Sequence, residues 1–351
     1  MNKNLNIIRV TSPVRIDFAG GWSDTPPICN CEGGTVLNAA VLLDGKRPIE
    51  VTVAERSDKL VRVVSKDLGK RRILKSAAEI ADHQDPNDWC ALVKSALTVT
   101  GFKFGSRGLD ITLSADLPKG SGMGTSSILG AATIAALLGE IDVDRISRLT
   151  LALEQEMCTG GGWQDQLGGL VGGFKLLRSK PGKDQKVEIK RLMPSADFLA
   201  DFKARALLYF TGQKRMARNI LRNVIRFYDQ NPHGIAKILV DSLKDDAEAC
   251  AKALRKGDMD RFARAVNGYW MDKKLLDPGS TNDHVDDIID LVKEDASALT
   301  LTGAGGGGFL FVLAKDADAA KRIRKTLGKN SAAKASRFYD VEIDVEGMRI
   351  E

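Results

Sequence analysis

The sequence predicts an α+β fold, because strands and helices both occur without the regular βα alternation of a doubly wound sheet. Strand patterns dominate before residue 118, whereas helical patterns dominate from 216 to about 291. At about 150 residues per domain, a length of 351 residues fits two domains or one large one. The polar segment 179–190 is typical of a hairpin or a domain boundary. We therefore expect an N-terminal domain over 1–190 and a C-terminal domain over 191–351.

The elements of the first half follow from residue type and period. Residues 7–19 predict β structure with a break at Pro13, since proline cannot donate to a strand ladder. Further strands, which are rich in β-branched residues or alternate in polarity, are predicted at 35–41, 49–55, 60–65, 109–115 and 174–177. Helices are predicted at 87–100, 126–138 and 144–158.

The second half is more helical. The helical region from 216 to 291 is expected to break near Asn231-Pro232 and near Asp277-Pro278-Gly279, because the residue before a proline disfavours the helical conformation. A last helix is predicted at 317–327. Strands are predicted at 204–210, 298–302, 309–314 and 339–345.

Composition excludes several classes of function. The three histidines are far apart in the sequence, which argues against a histidine-rich metal site. The five cysteines are scattered, as expected for reduced thiols in a cytoplasmic protein, and Cys29-x-Cys31 lacks the second pair of a zinc site. The 52 basic and 46 acidic residues are mostly interspersed, so we expect no nucleic-acid partner. The longest apolar run, 128–138, is too short to span a membrane, and we expect no membrane partner.

Glycine is both enriched and clustered. The 34 glycines make up about 10% of the chain, against about 7% in an average protein. Twenty of them lie in four windows, at 20–34, 120–130, 160–173 and 303–308. Because glycine clusters mark tight turns, positive φ angles or close approach to a ligand, we predict four loops between ordered elements.

The second glycine window contains a candidate phosphate-binding loop. The segment PKGSGMGTSS follows a predicted strand and opens a predicted helix, where free N–H groups and the helix dipole attract anions. Its spacing is neither the Walker pattern nor GxGxxG, and a purely structural helix cap is the alternative. The residues predicted to bind the phosphates of a cofactor are Lys119, Gly120, Ser121, Gly122, Met123, Gly124, Thr125, Ser126 and Ser127.

Three segments occur in a characteristic order: SPVRIDFAGG at 12–21, PKGSGMGTSSILGA at 118–131 and LTGAGGGGF at 301–309. They resemble the first, second and third motifs of the GHMP kinases, a superfamily that includes galactokinase, homoserine kinase and mevalonate kinase. The resemblance implies a two-domain GHMP kinase fold. Its N-terminal domain would be similar to ribosomal protein S5, and its C-terminal domain would be ferredoxin-like.

Three further segments, GWSDTPP at 21–27, TGGGWQDQ at 159–166 and TGQKRMARN at 211–219, resemble signatures of L-fucokinases. The resemblance implies an ATP-dependent kinase that uses Mg²⁺ to phosphorylate the anomeric hydroxyl of L-fucose or a similar sugar. Many fucokinases also carry a nucleotidyltransferase domain, so this sequence is expected to be a stand-alone kinase or a kinase domain. The alternatives are a heptose-phosphate kinase of the same superfamily and a non-catalytic sugar-binding relative.

The resemblance also implies roles in phosphoryl transfer. Asp165 matches the aspartate that takes the proton of the sugar hydroxyl, and Arg15 matches the arginine that pairs with this base and the transferring phosphoryl group. A helix N-cap and a surface strand residue are the structural alternatives for these two. Ser126 and Glu154 match the magnesium positions. Glu156 is the alternative to Glu154, because residues two apart on a helix do not share a face.

The sugar-facing residues are predicted from the first and third glycine windows. Asp24 matches the carboxylate that accepts hydrogen bonds from sugar hydroxyls in galactokinase-like enzymes. Trp22 or Trp163 can pack on the apolar face of a 6-deoxy sugar, and core packing is the alternative for either. We expect the 303–308 loop to bring backbone of the second domain to the site. The residues predicted to contact the sugar are Trp22, Ser23, Asp24, Gly161, Gly162, Trp163 and Gly306.

Overall fold

The computed structural model describes residues 7–85, 88–118, 120–157, 160–213, 217–329 and 335–351. Its strands are β1 (Ile7–Ser12), β2 (Val14–Ala19), β3 (Gly34–Leu43), β4 (Ile49–Arg56), β5 (Val61–Ser65), β6 (Lys70–Leu74), β7 (Gly108–Ala115), β8 (Phe174–Ser179), β9 (Val187–Leu192), β10 (Ala206–Phe210), β11 (Ala296–Leu301), β12 (Phe309–Ala314), β13 (Arg337–Tyr339), β14 (Val341–Ile343) and β15 (Arg349–Ile350). Its α-helices are α1 (Ile28–Glu32), α2 (Ala77–Ala81), α3 (Ala91–Val99), α4 (Thr125–Leu138), α5 (Val143–Glu156), α6 (Gln164–Leu170), α7 (Ala196–Arg205), α8 (Ala217–Gln230), α9 (Ile235–Lys256), α10 (Met259–Leu276), α11 (Asp283–Val292) and α12 (Ala317–Lys329).

Two sheets form the N-terminal half. In the first, the strand order is β15-β1-β4-β7-β5-β6, and neighbours pair antiparallel except for the parallel β5–β7 pair. In the second, the order is β14-β3-β8-β9, and β2 also pairs with β3. Strands β14 and β15 therefore return the end of the chain to the sheets of the first half. The predicted boundary at residue 190 falls within β9 and stays a proposal.

Helix α4 is buried on nearly all sides, which explains why its sequence is apolar without a polar face. It packs against β1 and β4 of the first sheet and against α5 and α6. Gly124 precedes it with φ 72°, a left-handed conformation that turns the chain from the predicted phosphate loop into the helix. Within the helix, a Cβ atom at Gly130 would lie 3.4 Å from the Leu153 methyl groups, so α5 approaches closely. The position of α4 is thus fixed between the first sheet and these two helices.

The third sheet has the strand order β11-β12-β10-β13 and pairs antiparallel throughout. Both of its faces are buried. Leu310 and Val312 of β12 pack in a cluster with α11 and α12, whereas Phe311 points into the main core. There its ring centroid lies 5.1 Å from that of Phe18 on β2. The two halves therefore share one core, which fixes the loop between β11 and β12 against the first half.

Two of the glycine windows contain helices that were not predicted. Window 20–34 includes α1, and window 160–173 includes α6. Packing explains the helical glycine: a Cβ atom at Gly168 would lie 2.6 Å from the Cβ of Arg15. Helix α6 therefore lies directly against β2, and this contact brings Asp165, in the first turn of α6, to the side chain of Arg15.

Two features bear on the environment of the protein. Among the described residues, Cys29, Cys31, Cys90 and Cys250 are free thiols. In the same part of the chain, no helix combines the length and the apolar character needed to cross a membrane.

Candidate functional site

A cavity of about 260 Å³ lies where β2, α4, α5 and α6 meet the loop that follows β11. Residues from all four glycine windows line it. The described lining consists of Arg15, Asp17, Gly21, Trp22, Asp24, Thr25, Ser126, Ser127, Glu154, Gly161, Gly162, Gln164, Asp165, Leu221, Tyr269, Gly303 and Ala304. Of the residues predicted for the site, the structure brings together here Arg15, Trp22, Asp24, Ser126, Ser127, Glu154, Gly161, Gly162 and Asp165.

The buried guanidinium of Arg15 organises one wall of the cavity. Its Nε and Nη2 donate to Oδ1 of Asp165 at 2.9 and 2.6 Å, and its Nη1 donates to the carbonyl oxygen of Gly122 at 2.7 Å. Burial alone would lower the pKa of Arg15, but the charges of Asp165 and Asp17 outweigh it and raise this pKa. The Asp165 side chain keeps 30% of its surface exposed, so its carboxylate is both fixed by a cation and open to the cavity.

Asp17 connects Arg15 to the C-terminal half. Its carboxylate is fully buried, and its Oδ1 accepts from Arg15 Nη1 at 2.9 Å and from the Gly303 N–H at 2.7 Å. Its Oδ2 accepts from the Tyr269 hydroxyl at 2.8 Å. Lys273 further fixes this junction, because its Nζ donates to the Gly303 carbonyl oxygen at 2.6 Å. The position of Arg15 is therefore set by groups from both halves of the chain.

Asp24 is a second buried carboxyl group that lines the cavity. Its Oδ1 accepts from the backbone N–H of Trp22 and from Nε2 of Gln164. Its Oδ2 accepts from the backbone N–H of Gln164, and each of these three distances is 3.1 Å. Trp22 has φ 75°, a strained conformation for a tryptophan, and this turn aims its N–H at the carboxylate. Burial and then the charge of Asp165 raise the pKa of Asp24 to about 7, although the backbone N–H of Gln164 opposes the shift.

The predicted phosphate loop packs against the loop between β11 and β12. The Ser121 carbonyl oxygen accepts from the Phe309 N–H at 3.0 Å. A Cβ atom at Gly122 would lie 2.4 Å from the Thr302 carbonyl oxygen, and one at Gly308 would lie 2.4 Å from that of Ser121. Both glycines also have positive φ angles. Glycine is therefore required at each position by the close contact and by the backbone conformation. The expectation that the 303–308 loop supports this region agrees with these contacts.

The structure distinguishes the two glutamates at the end of α5. Glu154 lines the cavity and accepts a hydrogen bond from the Ser127 hydroxyl at 2.5 Å. Glu156 instead pairs with Nε2 of His83 at 2.7 Å, away from the cavity. Ser126 is exposed and lines the cavity beside Glu154. A carboxylate and hydroxyls next to a phosphate loop are hard oxygen donors that suit Mg²⁺.

Several residues predicted for the site do not line the cavity. Trp163 is fully buried, and its indole N–H donates to Gln185 Oε1 at 3.3 Å, so the alternative of core packing applies. Ser23 is also buried, and its hydroxyl closes the turn by donating to the Gly20 carbonyl oxygen at 2.6 Å.

Other predicted residues lie beside the cavity or cannot be placed. The Gly306 N–H donates to the Ser280 carbonyl oxygen at 2.6 Å, so this glycine packs within the C-terminal half. Met123 is buried in the main core and does not line the cavity. Gly120, Ser121, Gly122, Gly124 and Thr125 form the turn beside the cavity rather than its lining. Lys119 lies outside the described residues.

Some lining residues were not predicted from the sequence, for different reasons. Asp17 follows Arg15 by two residues, and the period of two along a strand could have placed both on one face. Gln164 could have been noted as the neighbour of Asp165. Tyr269 and Leu221 carry no local signal, because an apolar or aromatic residue in a helix usually indicates core.

Comparison with known proteins finds a family match within each half of the chain. Residues 91–173 match the model of the GHMP kinases N-terminal domain, and residues 250–333 match that of the GHMP kinases C-terminal domain. A D-glycero-D-manno-heptose 1-phosphate kinase from Bacteroides thetaiotaomicron has a similar crystal structure, with a TM-score of 0.74, 21% identity and 98% of each chain covered. At this identity, the likeness concerns the fold alone.

Two curated relatives share more of the sequence. The bifunctional fucokinase/GDP-fucose pyrophosphorylase of Arabidopsis thaliana is 39% identical over 92% of this chain and 31% of its own length. The L-fucokinase/L-fucose-1-P guanylyltransferase of Bacteroides fragilis is 36% identical over 97% of this chain and 38% of its own length. The chain thus spans about a third of the length of these relatives. With both family domains in order and the matching fold, the chain belongs to the GHMP kinase family.

Proposed function

We propose that the protein is an ATP-dependent sugar kinase that phosphorylates the anomeric hydroxyl of L-fucose, or of a similar sugar, to give the sugar 1-phosphate. The observation that carries this proposal is the pairing of Asp165 with Arg15 in a cavity beside the phosphate loop. The relatives named as fucokinases support L-fucose as the acceptor. A kinase family implies ATP as the phosphate donor, and we expect the protein to act in the cytoplasm.

In this mechanism, Asp165 is the general base. Its Oδ2 accepts the proton of the sugar hydroxyl while that oxygen attacks the γ-phosphorus and the bond to ADP breaks. Arg15 holds Oδ1 of Asp165 through two donors, which fixes the orientation of the carboxylate. Positioning is the main contribution of the protein to such a transfer, and the rigid environment of Arg15 provides it.

The phosphates and the metal would occupy the mouth of the cavity at the start of α4. The N–H groups after Gly124 receive no side-chain cap from the described residues and can face an anion, and the helix dipole favours negative charge there. Glu154 and Ser126 would hold Mg²⁺, which neutralises charge on the phosphates when it is bound. Ser127 orients Glu154 through its hydroxyl.

The sugar would lie between Asp24 and Trp22. The Asp24 carboxylate accepts hydrogen bonds from sugar hydroxyls, while the indole of Trp22 packs on an apolar face, such as the one beside the methyl group of a 6-deoxy sugar. Gly162 permits this arrangement, because a Cβ atom there would lie 2.0 Å from Oδ2 of Asp24.

A heptose-phosphate kinase is the second candidate. That substrate needs a basic group for its own phosphate, whereas Arg15 is the one cation in the described lining and is already paired with two carboxylates. The described cavity therefore favours a neutral sugar. A non-catalytic relative is disfavoured, because Asp165, Ser126 and Glu154 all line the cavity.

A substrate panel with coupled ADP detection tests the proposed function. Purified protein with ATP and Mg²⁺ is offered L-fucose, galactose, arabinose and heptose 7-phosphate, and the position of the new phosphate is determined by ³¹P NMR. We expect L-fucose to exceed galactose in kcat/KM by about tenfold or more, since an apolar contact discriminates weakly between a methyl and a hydroxymethyl group. A clear preference for heptose 7-phosphate, or no ADP with any sugar, would refute the assignment.

The metal positions yield a first prediction. Glu154→Gln and Ser126→Ala should each raise the Mg²⁺ concentration for half-maximal activity, by about tenfold or more for Glu154→Gln, because each removes an oxygen donor. Glu156→Gln is the matched control, since this glutamate pairs with His83, and it should keep the metal dependence of the wild type. An unchanged metal dependence in Glu154→Gln would remove this residue from the metal site.

The pKa of Asp24 yields a second prediction. With this pKa at about 7, the carboxyl group gains its proton as the pH falls through neutrality and then no longer accepts from the sugar. The kcat/KM for the sugar should therefore fall about tenfold between pH 8 and pH 6, as a group of pKa near 7 that must be ionised requires. Asp24→Asn should have a low kcat/KM that stays flat across this window. A variant that keeps the wild-type pH profile would assign the titration to another group.

A further inference from the structure

Gln164 is a cavity residue that the proposed mechanism does not use. It begins α6 directly before Asp165, and it lines the cavity although only 7% of its surface is exposed. Its backbone is fixed on both sides: the N–H donates to Asp24 Oδ2 at 3.1 Å, and the carbonyl oxygen accepts from Asn38 Nδ2 at 3.2 Å. A glutamine held this firmly at a binding cavity has a defined orientation.

Asp24 also fixes which end of the Gln164 amide faces it. The amide Nε2 donates to Asp24 Oδ1 at 3.1 Å. An ionised carboxylate only accepts hydrogen bonds, so the nitrogen of the amide must point toward it and Oε1 must point elsewhere. Because Oε1 and Nε2 share one carbon, Oε1 lies beside the carboxylate that Nε2 contacts.

The amide oxygen has no partner of its own within the described part of the chain. Gln164 Oε1 is buried and accepts no hydrogen bond from the described residues. Buried polar atoms in native proteins nearly always have a partner, and an unpaired one at a binding cavity points to a ligand or to water. The floor of the cavity is kept open next to this amide by Gly21, where a Cβ atom would lie 3.1 Å from Nε2 and 2.4 Å from the Tyr269 hydroxyl oxygen.

We propose that Gln164 Oε1 accepts a hydrogen bond from a sugar hydroxyl adjacent to the one that Asp24 binds, so that Gln164 selects sugars with two neighbouring hydroxyl groups. This inference rests on the proposed function and specifies the substrate class of the same site. A small rotation about χ3, which is a broad torsion in glutamine, turns Oε1 toward a donor that enters the cavity. Asp24 and Gln164 then form two adjacent acceptors, which a sugar lacking either hydroxyl cannot satisfy.

A mutant cycle with deoxygenated sugars tests the proposal. Wild type and Gln164→Met are compared on L-fucose and its 2-, 3- and 4-deoxy analogues, by kcat/KM and by calorimetric Kd for the sugar alone. In the wild type, we expect the kcat/KM of one analogue to be about tenfold below that of L-fucose, because this analogue cannot make the hydrogen bond to Gln164. In Gln164→Met, the kcat/KM for L-fucose should fall by the same factor. The kcat/KM for that analogue should then be no lower than the kcat/KM for L-fucose. Removal of Nε2 weakens Asp24 alike for every sugar that has the hydroxyl bound by Asp24, so it leaves the ratios between those sugars unchanged. The analogue that lacks this hydroxyl is identified separately, as the one whose loss relative to L-fucose disappears in Asp24→Asn.

The neighbouring glutamine provides the matched control. Gln166 is fully buried, its amide also has no partner among the described residues, and it does not line the cavity. Gln166→Met should keep the wild-type pattern of ratios between the sugars. If each of the three deoxy analogues shows the same loss relative to L-fucose in Gln164→Met as in the wild type, Gln164 is only a structural residue and the proposal fails. If the wild type binds L-fucose but transfers no phosphate, the proposed function fails while the Kd values still decide the role of Gln164; absence of any sugar binding overturns both.

Discussion

The Asp165→Asn variant is expected to lose about 10³-fold in kcat while it still folds and binds both substrates, since a positioned general base contributes roughly 10²–10⁴-fold. Asparagine has nearly the same shape as aspartate and can still accept from Arg15 through its amide oxygen. It cannot take the proton of the sugar hydroxyl. The loss should therefore appear in kcat, with KM for the sugar and for ATP changed much less, because ground-state contacts persist. Coupled ADP detection measures both parameters.

The control for Asp165→Asn is an aspartate on the surface. Asp290 lies on α11 and is 67% exposed, with an ion pair to Lys293. Asp290→Asn should keep the activity of the wild type, because exposed ion pairs contribute little. Near-normal turnover in Asp165→Asn would exclude this residue as the base and leave Asp24 as the carboxylate to test next. A thermal unfolding curve for each variant separates lost chemistry from lost structure.

Segments with a strong pattern were predicted well from the sequence. The strand 309–314 matches β12, because apolar residues at every position suit a sheet that is buried on both faces. The helix predicted at 126–138 begins one residue later than α4. Here local composition and tertiary position agree, since α4 is surrounded by the first sheet and two helices.

Elements whose local pattern conflicts with their position were missed. Helix α6 contains two adjacent glycines, which normally weaken a helix, yet close contact with β2 requires one of them. Helix α7 was also missed and covers the first two residues of the strand predicted at 204–210. Its N-cap was visible in the sequence: the Ser195 hydroxyl accepts from the Phe198 N–H at 3.2 Å, as serine does at helix starts.

The candidate site also depends on contacts between residues that are far apart in the sequence, which local patterns do not predict. Arg15 and Asp165 could be paired through the family resemblance, and the structure places them in contact. The contact of Asp17 with Tyr269 joins residues 252 positions apart in the sequence, and no local period indicates it. Trp163 shows the converse, because a tryptophan in a functional motif turned out to be fully buried. Contacts between distant segments depend on the assembled core, which the sequence pattern alone does not define.

The Arg15→Met variant is expected to lose both activity and stability. Methionine fills part of the space but removes the only described partner charge of Asp17, whose carboxylate is fully buried. Removing one partner of a buried ion pair costs about 3–5 kcal/mol, because the remaining charge stays without compensation. Activity should fall by about 10³-fold, since the cation that orients the proposed base is lost. Urea unfolding and kcat measure the two effects.

A double variant separates the two losses. In Arg15→Met/Asp17→Asn, the uncompensated charge is gone, and asparagine can still accept from the Gly303 N–H through its amide oxygen. We therefore expect the double variant to regain much of the free energy of unfolding that Arg15→Met loses, while kcat stays low, because Asp165 still has no cation beside it. A single variant as stable as the wild type would contradict the role of Arg15 as the compensating charge of this buried cluster. A double variant no more stable than the single one would show that packing around the guanidinium, rather than charge, determines the stability of the junction between β2, α10 and the loop after β11.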